Sequence, residues 1–350
     1  MNVFLVDIVE PRVREPESNA RMAELESLVN TFGGFVVLHT IQRRKKPYYK
    51  LYIGSGKLEE IAEEMKEQNA ELLILGNILK PRQLYQVNEF LRPYGMKAWD
   101  RVDLILKIFD KHANTAEAKM QIELASIKHM GPRIFGMGME LSKQGAGIGT
   151  KGIGETNTEI MKRHLKEKTR LIEKKLLEYG KMRRMHRERR IKNQVPSVGI
   201  VGYTNAGKSS LLNSLTKKEV LAENKLFATL GTTAAMMFVF PEEGGLGREI
   251  MLHDTIGFIR DLPPQLIKAF RSTLEDSIET DILLHVLDAS DPEMDRKMYI
   301  VNDILDEIGA TQPRFLVLNK MDLLSVEEQE SVMEKYAKLS PISVSADEKL

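Results

Sequence analysis

One octapeptide constrains this chain more than any other: GYTNAGKS, residues 202–209, matches G-x-x-x-x-G-K-[ST]. It follows the apolar run SVGIV and precedes SSLLNSL, which predicts a strand, a loop and a helix. In such a loop the backbone amides surround a β-phosphate, the Lys208 amine bridges β and γ oxygens, and the Ser209 hydroxyl binds Mg²⁺. We assign nucleotide binding to Gly202, Tyr203, Thr204, Asn205, Ala206, Gly207, Lys208, Ser209 and Ser210.

A second motif predicts which base is bound. Asn319-Lys320-Met321-Asp322 follows the apolar run RFLVL and matches N-K-x-D, whose Asp accepts two hydrogen bonds from guanine that adenine cannot donate. The later run ISVSA fits the loop whose backbone amide contacts guanine O6. The sequence therefore predicts GTP and GDP as ligands, with Asn319, Lys320, Asp322, Ser343, Ser345 and Ala346 around the base.

A third motif, D-x-x-G, is expected to sense the terminal phosphate. It consists of Asp254, Thr255, Ile256 and Gly257. In this pattern the Asp reaches Mg²⁺ through water and the Gly amide faces the γ-phosphate.

Between these motifs, LFATLGTTAAM resembles a switch loop that orders only with GTP. We choose Thr233 as the residue that completes Mg²⁺ coordination, with Thr229 and Thr232 as alternatives. The predicted metal ligands are thus Ser209, Thr233 and Asp254.

The residue after D-x-x-G raises a question about hydrolysis. A small GTPase carries a Gln there to orient the attacking water, whereas this chain has Phe258, which cannot form the required hydrogen bond. Charge from elsewhere can replace it. One source is K⁺ bound by Asn205, a position at which K⁺-activated GTPases carry an Asn; the alternative is that Asn205 only braces the loop. The predicted catalytic residues are Lys208, Asn205, Thr233 and Gly257.

Composition excludes several classes of protein. The 350 residues include no Cys, which excludes disulfides and thiolate sites, and no apolar run reaches the 18 residues that a membrane span requires. We therefore expect a cytoplasmic protein, monomeric when free. The seven His lack the spacing of metal ligands, so no zinc site is predicted.

The order of patterns along the chain predicts an α/β protein in three parts. Residues 1–112 alternate strand and helix patterns, as do residues 196–350, which we interpret as a P-loop G domain with a mainly parallel, Ras-like sheet. Between them, residues 113–195 predict two long helices packed as an antiparallel hairpin. The second helix is predicted to carry an apolar stripe and one arginine face; the stripe consists of Met161, Leu165, Ile172, Leu176, Tyr179 and Met182, and the face of Arg183, Arg187 and Arg190. Its tip, residues 131–154, holds 8 Gly in 24 residues.

The hairpin concentrates positive charge. Residues 161–193 contain 14 Lys/Arg and 4 Glu, although the whole chain has a net charge of only +1. Side chains of this kind suit contacts to RNA phosphates, and small residues at the tip suit a confined RNA pocket. The predicted RNA contacts are Lys143, Gln144, Lys151, Arg183, Arg184, Arg187 and Arg190.

Taken together, these motifs closely resemble the HflX family of translational GTPases. The resemblance rests on YIGSGKLEEI, DRVDLILKIFDKHANTAEAKMQIELA, SKQGAGIGTKGIGE, GYTNAGKSS, LFATL, HDTIGFIRDLP and NKMD. It implies binding to the large ribosomal subunit, at rRNA of the peptidyl-transferase region. It also implies GTP hydrolysis stimulated there, and the splitting of stalled ribosomes under stress.

Two departures from the family pattern bear on the expectations. Ala234 and Ala235 stand where the family usually has a polar and a basic residue, which should alter the switch contacts. The sequence ends at SADEKL, so we expect the G domain to lack its closing helix and its last strand to be poorly covered.

Two other functions remain open. A ribosome assembly or RNA-binding factor could use GTP as a conformational switch with little catalysis, as Phe258 and the altered switch suggest. An RNA remodeller could instead bind ATP in the first part of the chain, at Gly54-Ser55-Gly56-Lys57, although that fragment better fits a glycine turn before a helix. Trp99 is expected to be a packing anchor.

Overall fold

The computed structural model describes residues 1–113, 115–129, 153–216, 233–240, 247–255, 257–260, 266 and 279–346. These residues form two compact units. One comprises residues 1–111 and 122–174, and the other comprises residues 112–121 and 175–350. The α/β architecture predicted from the sequence is confirmed in both.

The first unit is built on a four-stranded parallel sheet in the order β2-β1-β3-β4. Strands and helices alternate along the chain, as parallel pairing requires. The strands are β1 (Asn2–Val9), β2 (Phe35–Arg43), β3 (Leu72–Leu75) and β4 (Lys97–Asp100); the helices are α1 (Glu15–Phe32), α2 (Ser55–Glu67), α3 (Pro81–Leu91) and α4 (Arg101–His112).

The two central strands, β1 and β3, form the middle of this unit's core. β3 is the apolar run LLIL, buried along its whole length, as is typical of a strand covered on both faces. Phe4 and Leu73 lie in one apolar cluster with Leu58 of α2 and Val87 of α3. Trp99 contacts Phe32 edge to face, with ring centroids 5.3 Å apart, as expected of a packing anchor.

Two helices lie in the region where the sequence predicts a hairpin: α5 (residues 116–129) and α6 (Ile153–Lys192). Within the first unit, two ion pairs join them: Lys128–Glu173 at 3.3 Å and Lys168–Glu123 at 2.5 Å. The glycine-rich tip lies almost entirely outside the described residues.

The face that α6 turns inward differs in part from the predicted stripe. Its less exposed positions recur three or four residues apart and include Leu165, Ile172, Leu176 and Tyr179, as predicted. Met161 and Met182, which the pattern also assigned to the stripe, are 40 % and 50 % exposed. The inward face continues instead through Arg183, Arg187 and Arg190.

The second unit contains a six-stranded sheet in the order β10-β9-β8-β5-β7-β6. All neighbouring strands are parallel except β6 and β7. The strands are β5 (Ser197–Gly202), β6 (Thr233–Val239), β7 (Arg248–Asp254), β8 (Ile282–Asp288), β9 (Arg314–Asn319) and β10 (Ile342–Ser343); the helices are α7 (Lys208–Leu215), α8 (Met294–Glu307) and α9 (Val326–Lys335).

Strand β6 is the element that sequence reasoning missed. Residues 233–236 belong to the segment predicted as a switch loop, yet residues 233–239 pair antiparallel with β7. Ala235 is buried beside Leu252 in the core, which explains why a small apolar residue fits where a basic one would not. The last strand, β10, is exposed, as expected.

No helix in the described ranges combines the length and apolar character needed to cross a bilayer.

Candidate nucleotide-binding site

The phosphate loop lies where β5, a central strand, ends and α7 begins. Its backbone turns sharply through left-handed conformations, with φ of +64° at Asn205 and +89° at Gly207. A side chain at Gly207 would overlap the amide of Asn319, so only glycine fits there. The loop therefore has the predicted position and shape, with the start of an eight-residue helix next to it.

Lys208 is held in a buried position at the base of the loop. Its side chain is buried and Nζ donates to the Tyr203 carbonyl at 2.8 Å. Burial lowers the pKa of the Lys208 amine to about 8, while the Asp254 carboxylate acts in the opposite direction. A desolvated ammonium gains strongly from an anion placed beside it.

The next residue links the loop to the D-x-x-G motif. The Ser209 hydroxyl donates to Asp254 Oδ2 at 2.7 Å, and Asp254 is fully buried. Two of the three predicted metal ligands are thus in contact. Thr233, the third, is the first residue of β6 and pairs in register with Asp254, but its side chain lies outside the described residues.

The N-K-x-D segment is joined to the phosphate loop by a buried amide. Asn319 Nδ2 donates to the Ala206 carbonyl at 2.9 Å, and Asn319 Oδ1 accepts from the Ala346 amide at 3.1 Å. The Ser345 hydroxyl donates to Asp322 Oδ1. The residues expected around the phosphates and around the base therefore lie in one place.

Three of the residues predicted to bind nucleotide have other partners. Lys320 Nζ binds Asp288 Oδ2 at 2.6 Å, and Ser343 pairs with Leu318 across the sheet edge. The Thr255 hydroxyl donates to the Ile200 carbonyl at 2.8 Å, so its side chain is committed to β5. Ile256 lies outside the described residues.

The segment after D-x-x-G packs directly on the phosphate loop. Thr204 N donates to the Phe258 carbonyl at 2.8 Å, and Phe258 N donates to the Gly202 carbonyl at 3.1 Å. The Phe258 side chain is only 4 % exposed. A Cβ on Gly257 would lie 2.8 Å from Thr204 Cα and 3.0 Å from Lys208 Nζ, so this position also requires glycine.

A set of side chains that sequence reasoning missed holds this segment in place. The Tyr203 hydroxyl accepts from the Arg260 amide at 2.7 Å, and the buried Arg260 guanidinium binds Glu293 at 2.6 Å. Lys297 Nζ lies 5.0 Å from the centroid of the Tyr203 ring. The only sequence signal was the FIR that follows DTIG.

Three of the arginines predicted to contact RNA have partners within the protein. Arg183 binds Glu117, Arg187 binds Glu279 at 2.9 Å, and Arg190 Nη1 lies 2.7 Å from His253 Nε2. Arg184, by contrast, is exposed. Lys143, Gln144 and Lys151 lie outside the described residues.

The Arg190–His253 contact fixes the state of the histidine. Burial first, and the Arg190 charge second, lower the pKa of His253 to about 4. His253 is therefore neutral near pH 7, and Nε2 accepts the hydrogen bond.

A cluster in the first unit was not foreseen. Asp100, Asp103 and His129 place ligand atoms within 4.8 Å of one another, although the spacing of the histidines predicted no zinc site. Asp103 N donates to Asp100 Oδ1 at 2.9 Å, and Asp100 N donates to Asp103 Oδ2 at 3.3 Å. This reciprocal pairing caps the start of α4.

Comparison with family models divides the chain into three matched regions. Residues 19–110 match the GTP-binding GTPase N-terminal region, residues 112–190 match the GTP-binding GTPase middle region, and residues 197–320 match the 50S ribosome-binding GTPase domain.

Curated relatives match over most of the chain. GTPase HflX of Caldanaerobacter subterraneus subsp. tengcongensis is 45 % identical over 315 residues, which are 90 % of this chain and 72 % of the relative. GTPase HflX of Escherichia coli is 39 % identical over 304 residues, 87 % of this chain and 70 % of the relative.

Solved structures of GTP-binding proteins also align with nearly the whole chain. The crystal structure of SsGBP in complex with GDP aligns with 99 % of this chain and 94 % of its own, at 29 % identity and a TM-score of 0.56. A GTP-binding protein from Sulfolobus solfataricus, also in complex with GDP, aligns with 99 % of this chain and 93 % of its own, at 29 % identity and a TM-score of 0.52.

Proposed function

Because this chain belongs to the HflX family of GTPases and hydrolyses GTP to GDP and phosphate, we propose that it docks on the large (50S) ribosomal subunit while GTP is bound. Hydrolysis then times its departure. The docked protein splits or rescues stalled ribosomes under stress, acting as a monomer in the cytoplasm. The convergence of three guanine-nucleotide motifs at the end of β5, in a chain that also carries a strongly basic helix, supports this proposal.

The contacts of the site support the residue roles that we propose for GTP binding. The amides of residues 205–209 surround the β-phosphate, and Lys208 turns from the Tyr203 carbonyl to the β and γ oxygens. Because the Lys208 ammonium is buried, its charge is screened little by water and stabilises the charge that develops during phosphoryl transfer. Asp322 binds guanine, and Asn319 holds that loop against the phosphate loop.

The donor set also fits Mg²⁺. The Ser209 hydroxyl and the Asp254 carboxylate are hard oxygen ligands 2.7 Å apart at the start of α7, the combination that Mg²⁺ prefers beside phosphates. Thr233 would add a third oxygen in the GTP state. When bound, the ion neutralises charge on the β- and γ-phosphates.

We infer that Phe258 does not orient the attacking water as a Gln would, and that it instead fixes the position of the neighbouring Gly257. Its backbone is bonded to Gly202 and Thr204, and its ring is buried, so the amide of Gly257 has a fixed place beside Lys208. Tyr203 and Arg260 stabilise that arrangement. The site orients the γ-phosphate but offers no side chain at residue 258 to orient water, so basal hydrolysis is slow and the ribosome stimulates it.

K⁺ is a second candidate cofactor, bound through Asn205. The Asn205 side chain is exposed at a left-handed turn of the phosphate loop, where its carbonyl oxygen is accessible to an ion. Turnover should then be faster in K⁺ than in Na⁺, and Asn205→Ala should remove the difference. Equal rates for the wild type in the two salts would exclude this role.

The four arginines of α6 that we propose as RNA contacts fall into two classes. Arg184 is exposed and can contact phosphate directly. Contacts from Arg183, Arg187 and Arg190 require their ion pairs or hydrogen bonds to break on docking. The tip residues Lys143, Gln144 and Lys151 are proposed to enter rRNA at the peptidyl-transferase region.

Cosedimentation with purified large subunits tests the proposal, in the presence of a non-hydrolysable GTP analogue, GDP or no nucleotide. We expect strong association with the analogue and weak association in the other two states, decreasing steeply with salt as counterions are released. Association that ignores both nucleotide and salt would contradict the proposal. Association with the analogue but no stimulated hydrolysis would favour an assembly factor instead.

A further inference from the structure

A basic and aromatic loop in the first unit belongs to none of the motifs discussed above. Residues 39–58 contain six Lys/Arg, three Tyr and no Asp or Glu. The central run is RRKKPYYK, residues 43–50, immediately after β2. Because β2 is the edge strand of its sheet, the loop begins at the border of the unit.

The loop has a defined conformation. Tyr48 N donates to the Tyr52 carbonyl at 2.9 Å, and Tyr52 N donates to the Tyr48 carbonyl at 2.8 Å. Gln83 Nε2 donates to the Tyr48 and Tyr49 carbonyls at 3.4 and 3.3 Å. These bonds hold a narrow turn against the start of α3, so a ligand would meet a surface that is already ordered.

The cations of the loop fall into two groups. Arg43 is used internally, with Nη1 donating to the Val13 carbonyl at 2.6 Å. Lys45, Lys46 and Lys50 are exposed. Among the residues that the structure describes, no carboxylate forms an ion pair with any of these three lysines.

An exposed aromatic ring lies among these lysines. Tyr49 is 72 % exposed. The centroid of its ring lies 5.1 Å from the centroid of the Tyr48 ring and 5.8 Å from Lys50 Nζ. An ordered loop thus presents an aromatic ring to solvent, with positive charge around it. RNA-binding surfaces combine these two features, because bases stack on the ring while lysines contact phosphates.

We propose that residues 45–50 form a second RNA-binding surface, on which an unpaired base stacks on Tyr49 while Lys45, Lys46 and Lys50 contact adjacent phosphates. The rRNA of the large subunit is the natural ligand, and only this identification rests on the function proposed above. An anionic membrane is less suitable, since residues 45–50 include no Trp, Leu or Phe to insert into lipid, and the neighbouring Leu51 packs against the apolar cluster of the unit.

The 350-residue protein can be tested with two probes: purified large subunits with a GTP analogue, and a labelled oligouridylate of about 12 nucleotides. The variants are Tyr49→Ala, Tyr49→Phe and a triple Lys→Gln change at 45, 46 and 50. Matched controls are Tyr94→Ala and Lys107→Gln, which alter exposed residues elsewhere in the same unit.

Tyr49→Ala should weaken binding of both probes about tenfold, since stacking on one aromatic ring is lost, and Tyr49→Phe should restore it. The triple change should make the slope of log affinity against log salt shallower by about two for the oligonucleotide. Both controls should bind as the wild type does, and every variant should keep the wild-type melting temperature.

Three results would overturn the inference. The first is wild-type affinity of Tyr49→Ala and the triple variant for both probes. The second is a loss of subunit binding with unchanged oligonucleotide binding, which would indicate a protein partner. The third, from a parallel binding assay with phosphatidylserine vesicles, is a loss confined to those vesicles. If the wild type itself ignores large subunits yet the variants still lose the oligonucleotide, the proposed function fails and this surface stands.

Discussion

Two glycine-lysine turns precede helices in this molecule, and they differ in almost every physical respect. The turn before α7 contains left-handed residues and buries Lys208 against its own backbone. The turn before α2 has an extended N-cap, Gly54, with φ of −63°, and its Lys57 binds Glu60 on the surface at 2.8 Å. Glycine and lysine residues in the sequence before a helix are therefore not sufficient to form a phosphate-binding site.

What distinguishes the first turn is its enclosure. It follows a central strand, and both Asn319 and the Phe258 backbone bind it, so the loop conformation is determined before any ligand arrives. The second turn follows an edge strand, and a side chain at Gly56 would meet nothing within 4 Å. A preorganised loop gains phosphate affinity because little conformational entropy remains to be lost.

The sharpest way to break this comparison is to add a methyl group to each turn. Gly207→Ala forces a side chain into a left-handed conformation and onto the Asn319 amide, so GTP and GDP affinity should fall about 1,000-fold, combining strain with a disrupted buried network. Isothermal titration of nucleotide is the measurement. Gly56→Ala should leave nucleotide binding unchanged, and an equal loss in the two variants would contradict the distinction.

Removing the two lysine charges should give the next largest difference. Lys208→Met should lower GTP affinity about 100-fold, because a buried charge-assisted hydrogen bond is worth about 1.5–3 kcal/mol. The nucleotide-free melting temperature should not fall, since burial already disfavours this ammonium. Lys57→Met serves as the control in the same titration. A loss of GTP affinity there would revive an ATP or GTP site at the second turn.

The stability of the sheet that carries the first turn should also depend on pH, through a histidine in β8. Burial first, and the Arg314 charge second, lower the pKa of His285 in β8 to about 4, against about 6.5 in the unfolded chain. The unfolded state therefore binds more protons between these values, and stability is lost as pH falls from about 6.5 to 4. The cost at pH 5 is about 2 kcal/mol.

Urea unfolding between pH 7 and 5 measures this dependence. His285→Gln should make it shallower and leave the part that is due to His253, whereas His39→Gln, an exposed change on β2, should not alter it. An unchanged pH slope in His285→Gln would show that His285 is not the group responsible.

The smallest expected effect concerns the support of Gly257. Tyr203→Phe deletes the hydroxyl that accepts from the Arg260 amide, so the ribosome-stimulated kcat should fall about tenfold, equivalent to about 1.4 kcal/mol. GDP affinity and the KM for large subunits should not change. Tyr299→Phe, exposed on α8, is the matched control. A shift in GDP affinity without a change in kcat would assign Tyr203 to nucleotide binding alone.

The sequence correctly placed the phosphate loop at the end of β5 and N-K-x-D at the end of β9, for a physical reason. Residues 202–209 and 319–322 need a particular backbone geometry and particular side chains at a fixed spacing, and short sequence motifs are sufficient to identify them. It missed β6, because an edge strand of small and apolar residues that pairs only with β7 has no local signal separating it from a loop.

The sequence also could not predict which distant side chains form ion pairs and hydrogen bonds with one another. The helical period correctly placed Arg183, Arg187 and Arg190 on one face, but nothing local indicated that Glu117, Glu279 and His253 would meet them. The same holds for Tyr203 and Arg260, which are 57 residues apart. Contacts of this kind depend on how the sheet brings distant segments together.

Single-turnover GTP hydrolysis by the wild-type protein, free and with saturating large subunits, tests the central claim most directly. The account predicts slow hydrolysis alone and acceleration of about 100-fold or more on the subunit, because the site positions the γ-phosphate but has Phe258 where water would be oriented. Equal rates in the two conditions, with subunit binding demonstrated in parallel, would contradict it.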